Sequence, residues 1–155
     1  MATSKIQIPK SVQAEHEVIH SALVEATRAP GRVGTAAKDL AEVLHPHFVR
    51  EEQIALPPLG LLTPLAADDH LPETVLSEAL AMSDSLRSEL PRMLEEHKKI
   101  RAAVEKLRLA AHAEQATKYE QLAEQLALHA QTEKEVLYPV AVLVGDIIRA
   151  RLQSK

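Results

Sequence analysis

Six side chains in this sequence have the types and spacing of a metal site: His16, His47, Glu51, His97, His129 and Glu133. Imidazole nitrogen is a good donor to first-row divalent ions, and carboxylate oxygen suits iron and manganese. His47 and Glu51 are four residues apart, as are His129 and Glu133, so on a helix each pair sits on one face, one turn apart. Around the second pair that face is apolar, with Leu122, Leu126, Val136, Val140 and Val144 recurring at helical spacing. A carboxylate turned into an apolar interior is very costly unless it is paired or bound to a metal. The rest of the chain must therefore supply a partner.

The supply takes the form of a repeat. His47 follows His16 by 31 residues, and His129 follows His97 by 32. Each second histidine is followed four residues later by Glu and ten residues later by Pro, at Pro57 and Pro139. The flanks agree as well: EHEVIHSALVEA around His16 stands beside EHKKIRAAVEKL around His97. The pattern is that of two helical hairpins of one design. Packed about a pseudo-twofold axis, they bring four imidazoles and two carboxylates into one bundle core, where helical bundles build metal sites from facing side chains. With both glutamates bridging, each of two ions receives two nitrogens and two oxygens and keeps positions open for a small ligand.

The elements that must position these groups are helices. The first is expected to begin near Lys10 or Ser11, after a loose arm from Met1 to Pro9, and to end at Arg28–Gly31. The second starts near Thr35, with a kink near Pro46 and an end or bend near Pro57. Gly60 to Leu71 reads as a connection. Pro72–Glu73 opens a shorter lead-in segment over 73–89, which Pro91 separates from a third helix over 90–111. The fourth runs from about Lys118 to near Leu152, with a bend at Pro139. No strand-like alternation is present in the sequence. The expected fold is an all-α, antiparallel up-and-down four-helix bundle with a short extra helical segment before the third helix, in a single domain spanning 1–155 with its core at about 10–152.

Composition agrees and narrows the function classes. The 155 residues contain 46% hydrophobic residues, one Phe, two Tyr, no Trp and only 4 Gly, so the core is aliphatic and helix is favoured. With no cysteine, disulfides, thiol catalysis and iron–sulfur clusters are excluded. The formal charge of -4 argues against nucleic acid or an anionic membrane as partner. No apolar run has signal-peptide or bilayer-spanning character, so a cytoplasmic protein is expected.

In order, His16, His47-Phe-Val-Arg-Glu51, His97 and His129-Ala-Gln-Thr-Glu133 resemble the pattern of the hemerythrin-like (HHE cation-binding) family, over about residues 10–145. Leu137-Tyr138-Pro139 after the last motif is similar to that family too. The resemblance implies a non-haem di-iron centre: two iron ions, Fe2+ or Fe3+, bridged by Glu51 and Glu133 and by oxo or hydroxo, with the four histidines as terminal ligands. Manganese and zinc are the other candidate metals. The implied ligand is oxygen, nitric oxide or peroxide, for sensing, redox defence or iron handling, with peroxide consumption or ferrous oxidation as candidate activities. Two positions depart from the oxygen carriers of the family. Arg101 stands where they have a second third-helix histidine, and Glu133 closes a four-residue motif where they use Asp at five. Both departures favour a more open site than a reversible carrier has.

Any one of the four histidines alone reads more readily as a core histidine bonded to a carbonyl than as a ligand; the set is what points to metal. Residues outside this pattern have plainer readings. His20, the repeat-mate of Arg101, is a candidate extra ligand or support, and Tyr138 a candidate to hydrogen-bond a carboxylate or line the ligand pocket. His45, His70 and His112 read as surface residues, as does Arg101. Glu15, Glu96 and Glu52 read as solvated neighbours of the motifs, with Glu52 also a candidate for supporting a ligand. The rival functions are an iron- or redox-responsive module with an unidentified protein partner, and a metal-free structural bundle.

Overall fold

The computed structural model describes residues 6–154. The chain forms α1 (Lys10–Thr27), α2 (Gly31–Ile54), a 3-10 turn (Pro57–Leu61), α3 (Leu62–Ala66), α4 (Glu73–Ala113), α5 (Thr117–Thr132), a π-helical turn (Glu133–Leu137) and α6 (Tyr138–Gln153). Among the described residues there is no strand. Four helical columns pack together: α1, α2, α4, and α5 continued by α6.

Side-chain contacts give the directions. Glu15 and Glu25 of α1 meet His129 and Lys118 of α5. His47 and Arg50 of α2 meet Glu96 and Glu89 of α4. Asp84 and Arg87 of α4 meet Arg149 and Asp146 of α6. In each pair the residue numbers rise on one helix and fall on the other, so neighbouring columns are antiparallel.

The apolar residues divide into layers on either side of the chemistry-bearing set. Ile19, Leu23, Leu40, Leu44, Ile100, Val104, Leu107, Leu122 and Leu126 form one cluster. Ile54, Leu56, Leu59, Leu86, Met93, Tyr138 and Ala141 form another. Along each helix the histidines and glutamates fall between these two layers, so apolar packing closes the site from both ends of the bundle. Close helix approach supports this packing. At Gly145 of α6 an added Cβ would collide with Ser83 Oγ of α4, which donates to the Ala141 carbonyl at 2.9 Å.

Several boundaries differ from expectation. Pro91 does not separate two segments: α4 is one helix of 41 residues. The proline ring is exposed, and the carbonyl of Arg87 that it leaves without a donor belongs to an exposed position, open to solvent. Pro46 is likewise exposed within an unbroken α2. α2 starts at Gly31, four residues before Thr35, because Gly31 takes φ +70 and reverses the chain within three residues of α1. The expected connection after Gly60 contains α3. Of the expected loose arm, residues 1–5 lie outside the described residues. Ile6 is buried against Leu61, Leu65 and Val75, which ties the described part of the arm down.

The largest difference lies in the fourth column. Val136 belongs to the apolar stripe of the sequence, yet it is 50% exposed, and Tyr138 is 1% exposed instead. The cause is the π-helical turn. The Tyr138 N–H bonds to the Glu133 carbonyl, five residues back, so the helix carries one extra residue per turn there and everything beyond rotates. The first half does the same. The Leu56 N–H bonds to the Glu51 carbonyl at 2.9 Å, again five residues back. In both halves the wide turn starts at the glutamate and precedes a proline, Pro57 or Pro139, which cannot donate a backbone hydrogen bond.

Candidate metal centre

Each half of the sequence contributes from two helices. α1 carries His16, α2 carries His47 and Glu51, α4 carries His97, and α5 with its π-turn carries His129 and Glu133. All six are at most 4% exposed. The helices bring them together as two groups, each with its ligand atoms within 4.8 Å of one another: His47, Glu51, His97 and Glu133, and His16, His129 and Glu133. Glu133 belongs to both.

The carboxylates are oriented toward both groups. Glu51 Oε1 lies 2.7 Å from His47 Nε2 and 3.8 Å from His97 Nε2, while its Oε2 lies 3.7 Å from His16 Nε2. Glu133 Oε1 lies 3.7 Å from His97 Nε2 and 3.5 Å from His129 Nε2, and its Oε2 lies 4.0 Å from His16 Nε2. His16 Nε2 and His129 Nε2 stand 3.1 Å apart. Two nitrogens bound at about 2.1 Å and at right angles on one ion would be about 3.0 Å apart.

Outer carboxylates set the rings. His47 Nδ1 donates to Glu96 Oε2 at 2.7 Å, and His129 Nδ1 donates to Glu15 Oε1 at 2.7 Å. An ionised carboxylate only accepts, so the proton sits on Nδ1 and a neutral ring offers its Nε2 lone pair inward. Metal-binding histidines almost always have such a partner on the far nitrogen. Glu15 and Glu96, read from the sequence as solvated neighbours, do keep a solvent-facing side, and each also reaches across to a histidine of the facing helix. The available signal was that both immediately precede a motif histidine, at matching places in the two halves. Glu52 Oε1 lies 3.5 Å from His16 Nδ1.

Tyr138 sits among these groups. Its hydroxyl donates to Glu51 Oε1 and lies 3.1 Å from His47 Nε2 and 3.0 Å from His97 Nε2. Burial, then the two carboxylates, push its ionisation far above the usual range, so the phenol keeps its proton. The repeat-matched position in the first half is Leu56, which has no polar group. His20 is exposed on α1, its ring centre 6.4 Å from that of His45. His45, His70 and His112 are exposed, as is Arg101. Replacing Tyr138 by Phe removes a donor from a buried carboxylate, a bond worth about 1.5–3 kcal/mol when one partner is charged. Tyr138→Phe should therefore lower the unfolding free energy of the metal-free protein by about 2 kcal/mol, read from urea denaturation.

Without metal, protons hold this cluster together. Burial raises Glu133, and the neighbouring Glu51 carboxylate raises it further, to well above the ordinary carboxylate range. Burial opposes the charge of Glu51 too, but the close contact with His47 and the nearby His97 and Glu133 outweigh it and hold Glu51 well below that range. Burial lowers His47, yet hydrogen bonds to Glu51 and Glu96 leave it raised. Burial and the adjacent His129 lower His16, against the pull of Glu51. The metal-free interior therefore contains one ionised carboxylate, one neutral acid and a readily protonated imidazole.

This arrangement is incomplete. Glu51 Oε2, Glu133 Oε2 and His16 Nδ1 are buried and have no hydrogen-bond partner among the described residues. Buried polar atoms are nearly always paired. Two of these three orphans are the inward carboxylate oxygens, and imidazole with carboxylate is a donor set for iron, manganese or zinc. The residues fit a metal pair, and their buried His and Glu groups could hold metal ions.

A proton on Glu133 must leave before both its oxygens can bind metal. Loading the metal-free protein near neutral pH should release at least one proton per chain, and affinity should fall as pH is lowered. The Glu133 contribution to stability has the same origin. Its folded value lies above its unfolded value, so it favours the metal-free fold below about pH 4.5 and progressively disfavours it as pH rises toward the raised value. Calorimetric titration in buffers of different ionisation enthalpy reads the proton count directly.

No protein-family model, curated protein or solved structure matches this chain. Among the described residues, no helix is long and apolar enough to cross a membrane.

Proposed function

We propose that this chain is a hemerythrin-like non-haem di-iron protein that binds oxygen, nitric oxide or peroxide, in sensing, redox defence or iron handling. One observation carries the reading: two fully buried glutamates, each with oxygens turned toward both of two histidine pairs. A single ion would need only one such pair, and a structural bundle would need neither carboxylate. His47 and His97 would hold one ion, His16 and His129 the other, with Glu51 and Glu133 between them. Iron in such a set supplies Lewis acidity and one-electron chemistry at positions the protein leaves open.

The chain's own contributions follow from the geometry. Glu15 and Glu96 hold the His129 and His47 rings with Nε2 inward. The apolar layers above and below restrict water. The Tyr138 hydroxyl, which keeps its proton, is a hydrogen-bond donor beside the His47 and His97 pair. Among the described residues only one such donor enters, so the two ends of the centre differ.

Elemental analysis of protein purified from cells tests the metal. About two iron atoms per chain are expected, with near-ultraviolet absorption that azide perturbs. Absence of iron, manganese and zinc would reject the centre. Peroxide consumption by the same sample separates an enzyme from a binder.

A further inference from the structure

The two hairpins share a design inside the bundle but differ on their outer faces. Glu17 and His20 on α1 are repeat-matched by Lys98 and Arg101 on α4, and Glu52 on α2 by Lys134 in the π-turn. All six are exposed. Where one face presents carboxylates and imidazole, the matching face presents three cations.

The acidic face opens inward. A cavity of about 300 Å³ between α1 and α2 is bordered by Glu17, His20, His45 and Glu52, and at its inner end by His16 and Phe48. His16 is 3% exposed, and its Nδ1 has no hydrogen-bond partner. Phe48 stacks on the His16 ring, with centroids 4.3 Å apart and planes 17° apart, and forms an apolar wall beside it. His20 and His45, with ring centres 6.4 Å apart, flank the mouth. With metal–nitrogen bonds of about 2.0–2.1 Å, two imidazoles sharing one cation have ring centres up to about 6 Å apart, close to that separation. The cavity that borders His47, about 580 Å³, shares His45 with the first but lacks His20 and is lined by three cations, Arg50, Arg92 and Lys99, with Glu42 and Glu96. A divalent cation is drawn to the first opening and repelled by much of the second.

We propose that the α1–α2 groove is the loading route for the divalent cation. His20 and His45, within the field of Glu17 and Glu52, take the ion from water, and His16 receives it at the inner end. This inference rests on the reading of the interior as a metal centre. It assigns His20 to the path into the centre, with the six buried side chains remaining the ligands there.

The test is stopped-flow loading of metal-free protein with Co2+, followed by its visible absorption. Glu17→Lys combined with His20→Arg gives this face the residues of the opposite one. Its initial loading rate should fall about tenfold or more, the scale of electrostatic steering, while the final cobalt content matches the wild type. His45→Ala alone should slow loading in the same direction. Added salt should slow the wild type more than the double variant. Wild-type rates in both variants would overturn the route. So would a lower final content in the double variant, because His20 would then be a ligand of the centre itself. Failure of the wild-type protein to take up any cobalt would overturn the metal centre and the route together.

Discussion

Stripping metal from the protein with a strong chelator should lower its melting midpoint by about 8–16 °C. A ligand present at a thousandfold excess over its dissociation constant stabilises the fold that binds it by about 4 kcal/mol. For a domain of this size each kcal/mol moves the midpoint by about 2–4 °C. The loss should stop short of unfolding. Small zinc domains collapse without their ion because little else holds them, whereas this interior has apolar layers on both sides of the site and a proton on Glu133 to lower the cost of its burial. Thermal melts followed by circular dichroism, with bound metal and after chelation, make the comparison. An unchanged midpoint would show that the six buried groups gain nothing from a cation.

The second large effect separates the two glutamates. Glu51→Gln and Glu133→Gln should each cut the bound metal from about two per chain to one or none, since an amide cannot bridge two cations as a carboxylate does. His47→Ala should act in the same direction, and His112→Ala, at an exposed position, should not. In the absence of metal the two amide variants should part company. Glu133 already holds a proton, so Gln is close to its neutral form and Glu133→Gln should leave stability within about 1 kcal/mol of the wild type. Glu51 is the ionised member, bonded by His47 and Tyr138. Removing its charge takes from His47 its buried partner, and breaking a buried pair costs about 3–5 kcal/mol. Because the folded value of Glu51 is depressed, that stability is present above the ordinary carboxylate range and is lost as pH falls through the depressed value. Urea denaturation of metal-free protein at neutral pH, together with metal quantification, reads both effects. Equal destabilisation by the two substitutions would contradict the assignment of the charge to Glu51.

Much of this was legible in the sequence because helical bundles write their interiors in a period. The six inward groups fell on apolar stripes, and four packed helical columns follow from those stripes and the short links. What escaped was whatever breaks the period. Counting in steps of three and four from Glu133 leads to Val136 and Val140, whereas the hydrogen bond from Tyr138 to the Glu133 carbonyl shifts the buried face to Tyr138 and Ala141. The matched prolines at 57 and 139 marked the place without revealing the form. Pro91 misled in the opposite sense, because a proline on the wet side of a long, well-packed helix need not end it. The reach of Glu15 and Glu96 across to facing histidines depends on the spacing and rotation of helices, which no single stripe encodes. Ile6 gave no sign of its docking, since one isoleucine in a polar segment has no periodicity to read.

Tyr138 and Leu56 occupy the same place in the two copies of the hairpin, and they are where the copies stop being interchangeable inside the bundle. A duplicated scaffold would ordinarily produce a cavity that looks alike from left and right. One phenol in place of one aliphatic chain gives this interior a handed polarity: a guest drawn toward a proton donor has one orientation to prefer over its mirror. Restoring the symmetry, by Tyr138→Leu or Leu56→Tyr, is thus a single substitution that would turn a directional chamber into an indifferent one.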